Sequence, residues 1–475
     1  MDPRKIYPIL FLLLLVPLSS ARFSPADNIL LDCGSNSPST SLSDHRIFRP
    51  DSQINSDGVS LRSPNPNSLY QTARVFTTPS SYKFQIKNKG THLLRLHFYP
   101  FSSLSSNLNL SSAHFHVFAD NDFVLLSNFA FDWSSTPSPL LKEYLLHAES
   151  DSLILSFVPA APSAFAVVSA IELFSAPRDL LPDRARLVGP TLKENFDRLS
   201  HQALETLYRI NVAGPKVTPF NDTLWRTWLP DSGFSISGPE SRTVTFSGRI
   251  VYRKYGASRE VGPDNVYGSA RVSRASNMTW VFPVDSGYKY LVRMHFCDIA
   301  SLALNELYLN VYVNGYAAYQ DLDLSDATGQ VLASPYYLDL VAGVDSTGLL
   351  TVVVGPSSLS DPSKVGGLLN GLEIMKINNT IGSLAGGVPS LLAMQSSRTG
   401  GSVGEGGGGG GAMARSLICG FVFVVLLGTA FMLMSRWKAE TGKDGGLAWS
   451  PLPVDVSDGR FGQGSVALAG KFMYF

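Results

Sequence analysis

FQIKNKGTHLLRLHF (Phe84–Phe98) and FPVDSGYKYLVRMHF (Phe282–Phe296) follow one pattern. Each opens on Phe, places an aliphatic residue two positions later and a glycine mid-segment, and closes on Arg-x-His-Phe over the same length. Other matches flank them in the same order. Tyr70-Gln-Thr-Ala-Arg-Val75 matches Tyr267-Gly-Ser-Ala-Arg-Val272 at an offset of 197, against 198 for the first pair. Phe115-His-Val-Phe118 matches Leu309-Asn-Val-Tyr312, and Ala170-Ile-Glu-Leu173 matches Gly371-Leu-Glu-Ile374. Self-similarity in one order and near one spacing marks a duplicated module.

Within each copy the apolar residues alternate. Leu94, Leu96 and Phe98 share one face of a strand, with Arg95 and His97 on the other; Val292, Met294 and Phe296 repeat this against Arg293 and His295. Leu309, Val311 and Val313 alternate again, and Thr351-Val-Val-Val354 reads as a fully buried strand. Short strands broken by Gly, Pro, Ser and Asp predict an all-β chain of two tandem, jelly-roll-like β-sandwiches. The first spans 27–175 and the second 191–378, joined by a Pro- and Arg-rich linker over 176–190. Only Lys193–Thr206 reads as helix.

The chain has 475 residues, 44% of them apolar and only 16% charged, enough apolar mass to exclude global disorder. Lysine plus arginine equals aspartate plus glutamate at 38 each, so there is no basic footprint for nucleic acid. The ends differ from the middle. Arg4 and Lys5, the apolar run Ile6–Leu18 and Ser19-Ser20-Ala21 predict a secretory signal peptide over 1–21. Residues 381–414, with Gly406 to Gly411 unbroken, read as a flexible tether. Leu417–Met434 is 18 residues without a charge, which at 1.5 Å per residue spans about 27 Å. Arg436, Lys438 and Lys443 follow it, so the positive-inside rule places 435–475 in the cytoplasm. The expectation is a single-pass type I plasma-membrane protein with its N-terminal part outside the cell. Four sequons lie in that part, at Asn109, Asn221, Asn277 and Asn378, and secretion makes them N-glycosylation candidates.

Side-chain chemistry offers several candidates. His114-x-His116 puts two imidazoles on one strand face, but no third ligand at metal-site spacing follows, so a solvated strand face is the expectation, with no metal and no cofactor. Asp321 and Asp323 form a carboxylate pair of the kind glycoside hydrolysis needs, though without a convergent partner they read as a turn after Tyr319-Gln320. Cys33 and Cys297 fall one per module and read as two buried thiols, with a bridge between them left open. Trp225 and Trp228 read as core or interface residues rather than a sugar platform. Tyr70 with Arg74, and Tyr267 with Arg271, are the ligand candidates because both copies carry them. A tyrosine ring can stack on a sugar while a guanidinium pairs with a uronate. A residue kept between two copies can equally serve the fold alone.

LETLYRINVAGPKVTPFNDTLWRTWLPD (Leu204–Asp231) resembles the start of the second malectin-like domain in plant receptor-like kinases of the FERONIA and THESEUS group. The likeness continues through Arg259-Glu-Val-Gly-Pro-Asp-Asn-Val-Tyr267, Asn277-Met-Thr-Trp-Val-Phe282, Tyr290-Leu-Val-Arg-Met-His-Phe-Cys-Asp298 and Asn370-Gly-Leu-Glu-Ile-Met-Lys376. Leu31-Asp-Cys-Gly-Ser35 and Trp449-Ser-Pro-Leu452 are similar to that group as well. The chain departs where Val212-Ala213-Gly214 replaces a double glycine and Val261-Gly262-Pro263 an Ala-Pro. Kinase signatures His-Arg-Asp, Asp-Phe-Gly and Ala-Pro-Glu are missing from the sequence, so this chain as given is not expected to be an enzyme. A natural receptor-like form without its kinase and a shortened version of a longer chain both stay open. The resemblance implies a receptor that binds a secreted peptide, a cell-wall carbohydrate such as pectin, or both, with a membrane-anchored co-receptor or a kinase-bearing relative as partner. It also implies growth or wall-integrity signalling. The alternative is an extracellular carbohydrate-active enzyme on a β-sandwich scaffold, with Asp321 and Asp323 as its acids.

Overall fold

The computed structural model describes residues 23–386 except 56, 64–67, 104–107, 121, 132–137, 191–193 and 239. The signal peptide, most of the tether, the apolar run 417–434 and the tail fall outside the described residues. Among the described residues no helix is long and apolar enough to cross a membrane.

The two quoted segments are matching strands, Gly90–Phe98 and Lys289–Cys297. Gly90–Phe98 lies between Leu140–Ala148 and Ala170–Ser175, antiparallel to both. Lys289–Cys297 lies likewise between Pro335–Gly343 and Gly371–Ile377. Each three-strand unit faces a four-strand sheet of the same connectivity. In the first module the order is Ser80–Gln85, Ser152–Pro159, His114–Ala119, Phe123–Ala130. In the second it is Met278–Pro283, Leu349–Pro356, Tyr308–Val313, Tyr316–Asp323. Leu94, Leu96 and Phe98 enter one core with Phe115, Val117 and Phe157; Val292, Met294 and Phe296 enter the other with Leu309, Val311 and Val313. The all-β tandem-sandwich expectation holds.

The two modules also share a sheet. Leu204–Asn211 pairs with Gly371–Ile377 on one side and with Leu140–Ala148 on the other, through Tyr144↔Glu205 and Leu145↔Leu204. The outer face of this joint sheet is dry. Leu93, Leu145, Phe174, Leu204, Leu291, Val341 and Met375 line it, and Leu180, Leu181, Leu199 and Leu224 cover it. Arg95 and His97, on that same face, are therefore buried.

Four sequence expectations change. The described residues of the helix expected over Lys193–Thr206 form none: Asn195–Asp197 is a strand, Leu199–His201 one helical turn and Leu204 opens a strand. Arg198 sits between them at φ 57°, which a helix cannot hold, while Leu199 turns into the junction core. Thr351–Val354 is buried on one face only, because Val352 and Val354 enter the core while Thr351 and Val353 look outward. The linker is not a bare connection, since Arg184–Val188 pairs in parallel with Pro335–Gly343 and joins the second module's sheet. Residues 381–386 are packed rather than loose. The Val124 N–H donates to the Gly382 carbonyl, the Leu384 N–H donates back to the Val124 carbonyl, and Ser383 and Leu384 are buried against the first module.

Candidate functional site: a basic cleft on the linker strand

The residues shared by both copies turn inward. The Tyr70 hydroxyl meets His97 Nδ1 at 2.9 Å, and His97 Nε2 meets Glu172 Oε1 at 2.7 Å. The second module repeats the relay: Tyr267 hydroxyl to His295 Nδ1 at 3.0 Å, and His295 Nε2 to Glu373 Oε1 at 3.1 Å. A carboxylate only accepts, so Nε2 carries the proton and Nδ1 accepts from the phenol. Burial lowers the pKa of both imidazoles, against the pull of their glutamates, which fits the neutral tautomer. Burial also raises the Tyr70 and Tyr267 phenols.

Arg74 and Arg271 belong to a second repeated cluster. Arg74 grips Asp51 through Nε at 3.0 Å and Nη2 at 2.6 Å, and the Tyr82 hydroxyl donates to the same carboxylate at 2.8 Å. Arg271 grips Asp231 through Nε at 2.9 Å and Nη2 at 3.1 Å, joined by the Trp280 indole N–H at 3.1 Å. The expected ligand role of Tyr70, Arg74, Tyr267 and Arg271 therefore gives way to a structural one. Tyr70, Arg74 and Tyr267 are buried, Arg271 is half-buried, and each hydrogen-bonds to an internal partner.

In each cluster one backbone N–H also reaches the carboxylate, from Gly34 at 3.0 Å and from Ala213 at 3.1 Å. Gly34 has φ 76° and Ala213 has φ 58°. Ala213 thus holds a left-handed backbone that its counterpart fills with glycine, so the departure from a double glycine seen in the sequence carries a conformational cost. Ala213→Gly is expected to stabilise the protein by about 0.5 kcal/mol, relief of the Cβ clash exceeding the added chain entropy. A thermal unfolding midpoint below that of the unsubstituted protein would contradict this.

The remaining candidates also resolve. Trp228 is fully buried, and Trp225 packs edge-on against Phe174 of the first module at 5.5 Å. Cys33 and Cys297 are buried free thiols, both raised in pKa by burial. Asp321 and Asp323 lie at the end of a strand, not in a turn. Asp321 accepts from the Ser357 hydroxyl, and Asp323 caps the turn Leu324–Ala327 by accepting from the Ser325 and Asp326 N–H groups at 2.8 and 3.1 Å. His116 Nδ1 accepts from the Asn128 N–H at 3.0 Å. Asn109, Asn221 and Asn277 are exposed; Asn378 is half-buried, its amide nitrogen donating to the Asn379 carbonyl at 2.9 Å.

Among the described residues, one feature open to a ligand is a cleft of about 1220 Å³ beside the linker strand. Five cations line it: Arg178, Arg184, Arg186, Arg253 and Lys254, against the carboxylates of Asp179 and Asp339. Pairing with Pro335–Gly343 sets the strand's alternation, so Ala185 goes inward while Arg184 and Arg186 stay exposed. Asp339 is already neutralised by two bonds from Arg293, at 2.8 and 2.7 Å. Arg184 pairs with exposed Asp197, which holds it weakly. Tyr255, 92% exposed, stands at the rim with the Lys254 ammonium 5.3 Å from its ring centre, and Tyr336 and Tyr337 line the wall. Such a surface can seat an acidic, ring-bearing polymer, carboxylates on guanidiniums and sugar faces on tyrosines. The Arg184-x-Arg186 spacing in the linker was the sequence signal for this site.

The chain is similar to known proteins along this whole region. The malectin-like domain model matches residues 31–377. The receptor-like protein kinase THESEUS 1 of Arabidopsis thaliana is 42% identical over 395 residues, 79% of this chain and 45% of that protein. The solved extracellular domain of ANXUR1 from Arabidopsis thaliana superposes with a TM-score of 0.68 at 31% identity, covering 76% of this chain and all of that one. A chain in the solved complex of plant peptide RALF23 with FER and LLG2 superposes with a TM-score of 0.65 at 31% identity, covering 77% of this chain and 99% of that one. The chain spans about half the length of the curated relatives it matches, 53% and 45% for the first two. It belongs to the malectin-like family of FERONIA/THESEUS/ANXUR-type receptor-like kinases, and its tandem sandwiches correspond to their ectodomain.

Proposed function

We propose that this chain is the sensing part of a single-pass plasma-membrane receptor, anchored by 417–434, with its tandem sandwiches outside the cell. Asn109, Asn221, Asn277 and Asn378 carry its glycans. The cleft beside the linker strand binds an acidic cell-wall carbohydrate such as pectin, in growth or wall-integrity signalling. The charge of that cleft carries the reading: five cations, of which Arg184 is held weakly by exposed Asp197, face two carboxylates, one of the two already paired with Arg293. A secreted peptide held together with a membrane-anchored co-receptor is the second reading, favoured by the likeness to the chain solved with RALF23 and LLG2. A basic peptide would be repelled by the cleft and would dock elsewhere.

Titration of an oligogalacturonide into the ectodomain, a piece that crystallises by itself in the ANXUR1 relative, tests the first reading. Arg184→Glu combined with Arg253→Glu and Lys254→Glu is expected to weaken binding by about tenfold or more, and added salt to weaken the unsubstituted protein likewise. Binding indifferent to both would remove the cleft as the site.

A further inference from the structure

We propose that His147, Glu149 and His201 form a binding site for one divalent transition-metal ion of the zinc class, clasping the first module to the start of the second. His147 is the penultimate residue of Leu140–Ala148, Glu149 follows it directly, and His201 ends the turn Leu199–His201. Tertiary packing brings together side chains 52 residues apart: His201 Nδ1 lies 3.3 Å from Glu149 Oε1, and the two imidazole centres are 4.4 Å apart at 31°. The candidate ligand atoms of all three lie within 4.8 Å of one another.

Two observations favour a metal over a chance cluster. His147 Nδ1 is buried with no hydrogen-bond partner, a condition costing about 1–3 kcal/mol unless something at the site satisfies it. Neither His201, whose ring is tilted by 31° against that of His147, nor Glu149 supplies the missing partner. A metal can. Bonds of about 2.0–2.1 Å in tetrahedral geometry place ligand atoms about 3.3 Å apart. Strand pairing holds His147, so the adjustment falls on His201 and Glu149, whose side chains are 35% and 74% exposed. Two histidines and one carboxylate leave a fourth position for water. A polar groove of about 590 Å³, lined in part by His147, Asp183 and Ser200, supplies it. Of the three side chains only His147 lines that groove, so the set fits a fastener rather than a hydrolytic centre. Its consequence is mechanical: the ion ties the end of a first-module strand to the segment leading into Leu204–Asn211, where the two halves of the joint sheet meet.

Calorimetric titration of the metal-free ectodomain with Zn²⁺ tests the assignment, with Co²⁺ as a spectroscopic probe. One equivalent of Zn²⁺ is expected to bind and raise the unfolding midpoint, and Co²⁺ to give the intense visible bands of four-coordination. His201→Ala, at a half-buried position, and Glu149→Gln, at an exposed one, should each weaken Zn²⁺ binding by about tenfold or more. His147→Ala should do the same. His114→Ala with His116→Ala should leave binding unchanged. Absence of a one-to-one Zn²⁺ isotherm, or one that survives His201→Ala and Glu149→Gln undiminished, would overturn the site.

Discussion

Glu143→Ala is expected to lower the unfolding free energy of the ectodomain by about 3–5 kcal/mol, the cost of stranding buried charge. Glu143 sits on the strand where the modules join. Its Oε2 accepts from Arg95 Nε of the first module at 2.7 Å, and its Oε1 from Arg209 Nη2 of the second at 2.6 Å. Each guanidinium then continues inward, Arg95 Nη1 to Glu172 at 2.9 Å and Arg209 Nε to Glu373 at 2.7 Å. The two Tyr–His–Glu relays are thereby linked into one buried network through a single carboxylate. Removing it leaves both guanidiniums short of a partner in a layer that water does not reach.

The same group predicts an acid dependence. Burial alone would raise the pKa of Glu143, but Arg209 and Arg95 hold it down at about 2, below its ordinary value of 4.5. A carboxylate depressed in the folded state contributes its full stability above pH 4.5 and loses it as pH falls from there towards 2. The gap between the unsubstituted protein and Glu143→Ala should therefore be widest near neutrality and close in that window. Denaturant unfolding from pH 7 to pH 3 measures it. A gap that is constant with pH would mean the carboxylate's charge plays no part at the junction.

Trp228→Ala carries the second large effect, a loss of about 3–5 kcal/mol for deleting a fully buried indole. The ring lies against Val217 and Val266, meets His295 edge-on at 5.3 Å, and has the Arg226 and Arg209 guanidiniums at 5.3 and 5.7 Å from its centre. Its N–H donates to Asp222 Oδ2 at 2.9 Å. Trp228→Phe keeps most of the packing and gives up that hydrogen bond, so it should cost about 1–2 kcal/mol. The pair separates a core tryptophan from a sugar platform. A core residue shifts the unfolding midpoint in the order Ala beyond Phe; a platform would leave the midpoint alone and weaken carbohydrate binding instead.

The duplication, the alternation of Leu94, Leu96 and Phe98 and of their counterparts, and hence the tandem sandwiches were legible in the sequence alone. Strand side chains have a period of two, so a half-buried strand writes its inward face into any short stretch. Ligand residues were harder to read, because repetition marks both function and fold. Tyr70, Arg74, Tyr267 and Arg271 repeat since each closes a buried hydrogen-bond cluster that the sandwich needs twice. Which face lay open was settled only by what packs across it. Leu224 and Trp225 cover Arg95 and Phe174 from more than 50 positions away in sequence, turning a polar strand face into a buried one. Pairing of Arg184–Val188 with a strand some 150 residues later makes an arginine-rich linker into one wall of a cleft. The His147, Glu149 and His201 cluster depends in the same way on a turn meeting a strand end. Periodicity is local and survives in one dimension; the covering of a face, the pairing of charges and the meeting of ligands are contacts between distant segments, and only the folded chain brings those segments together.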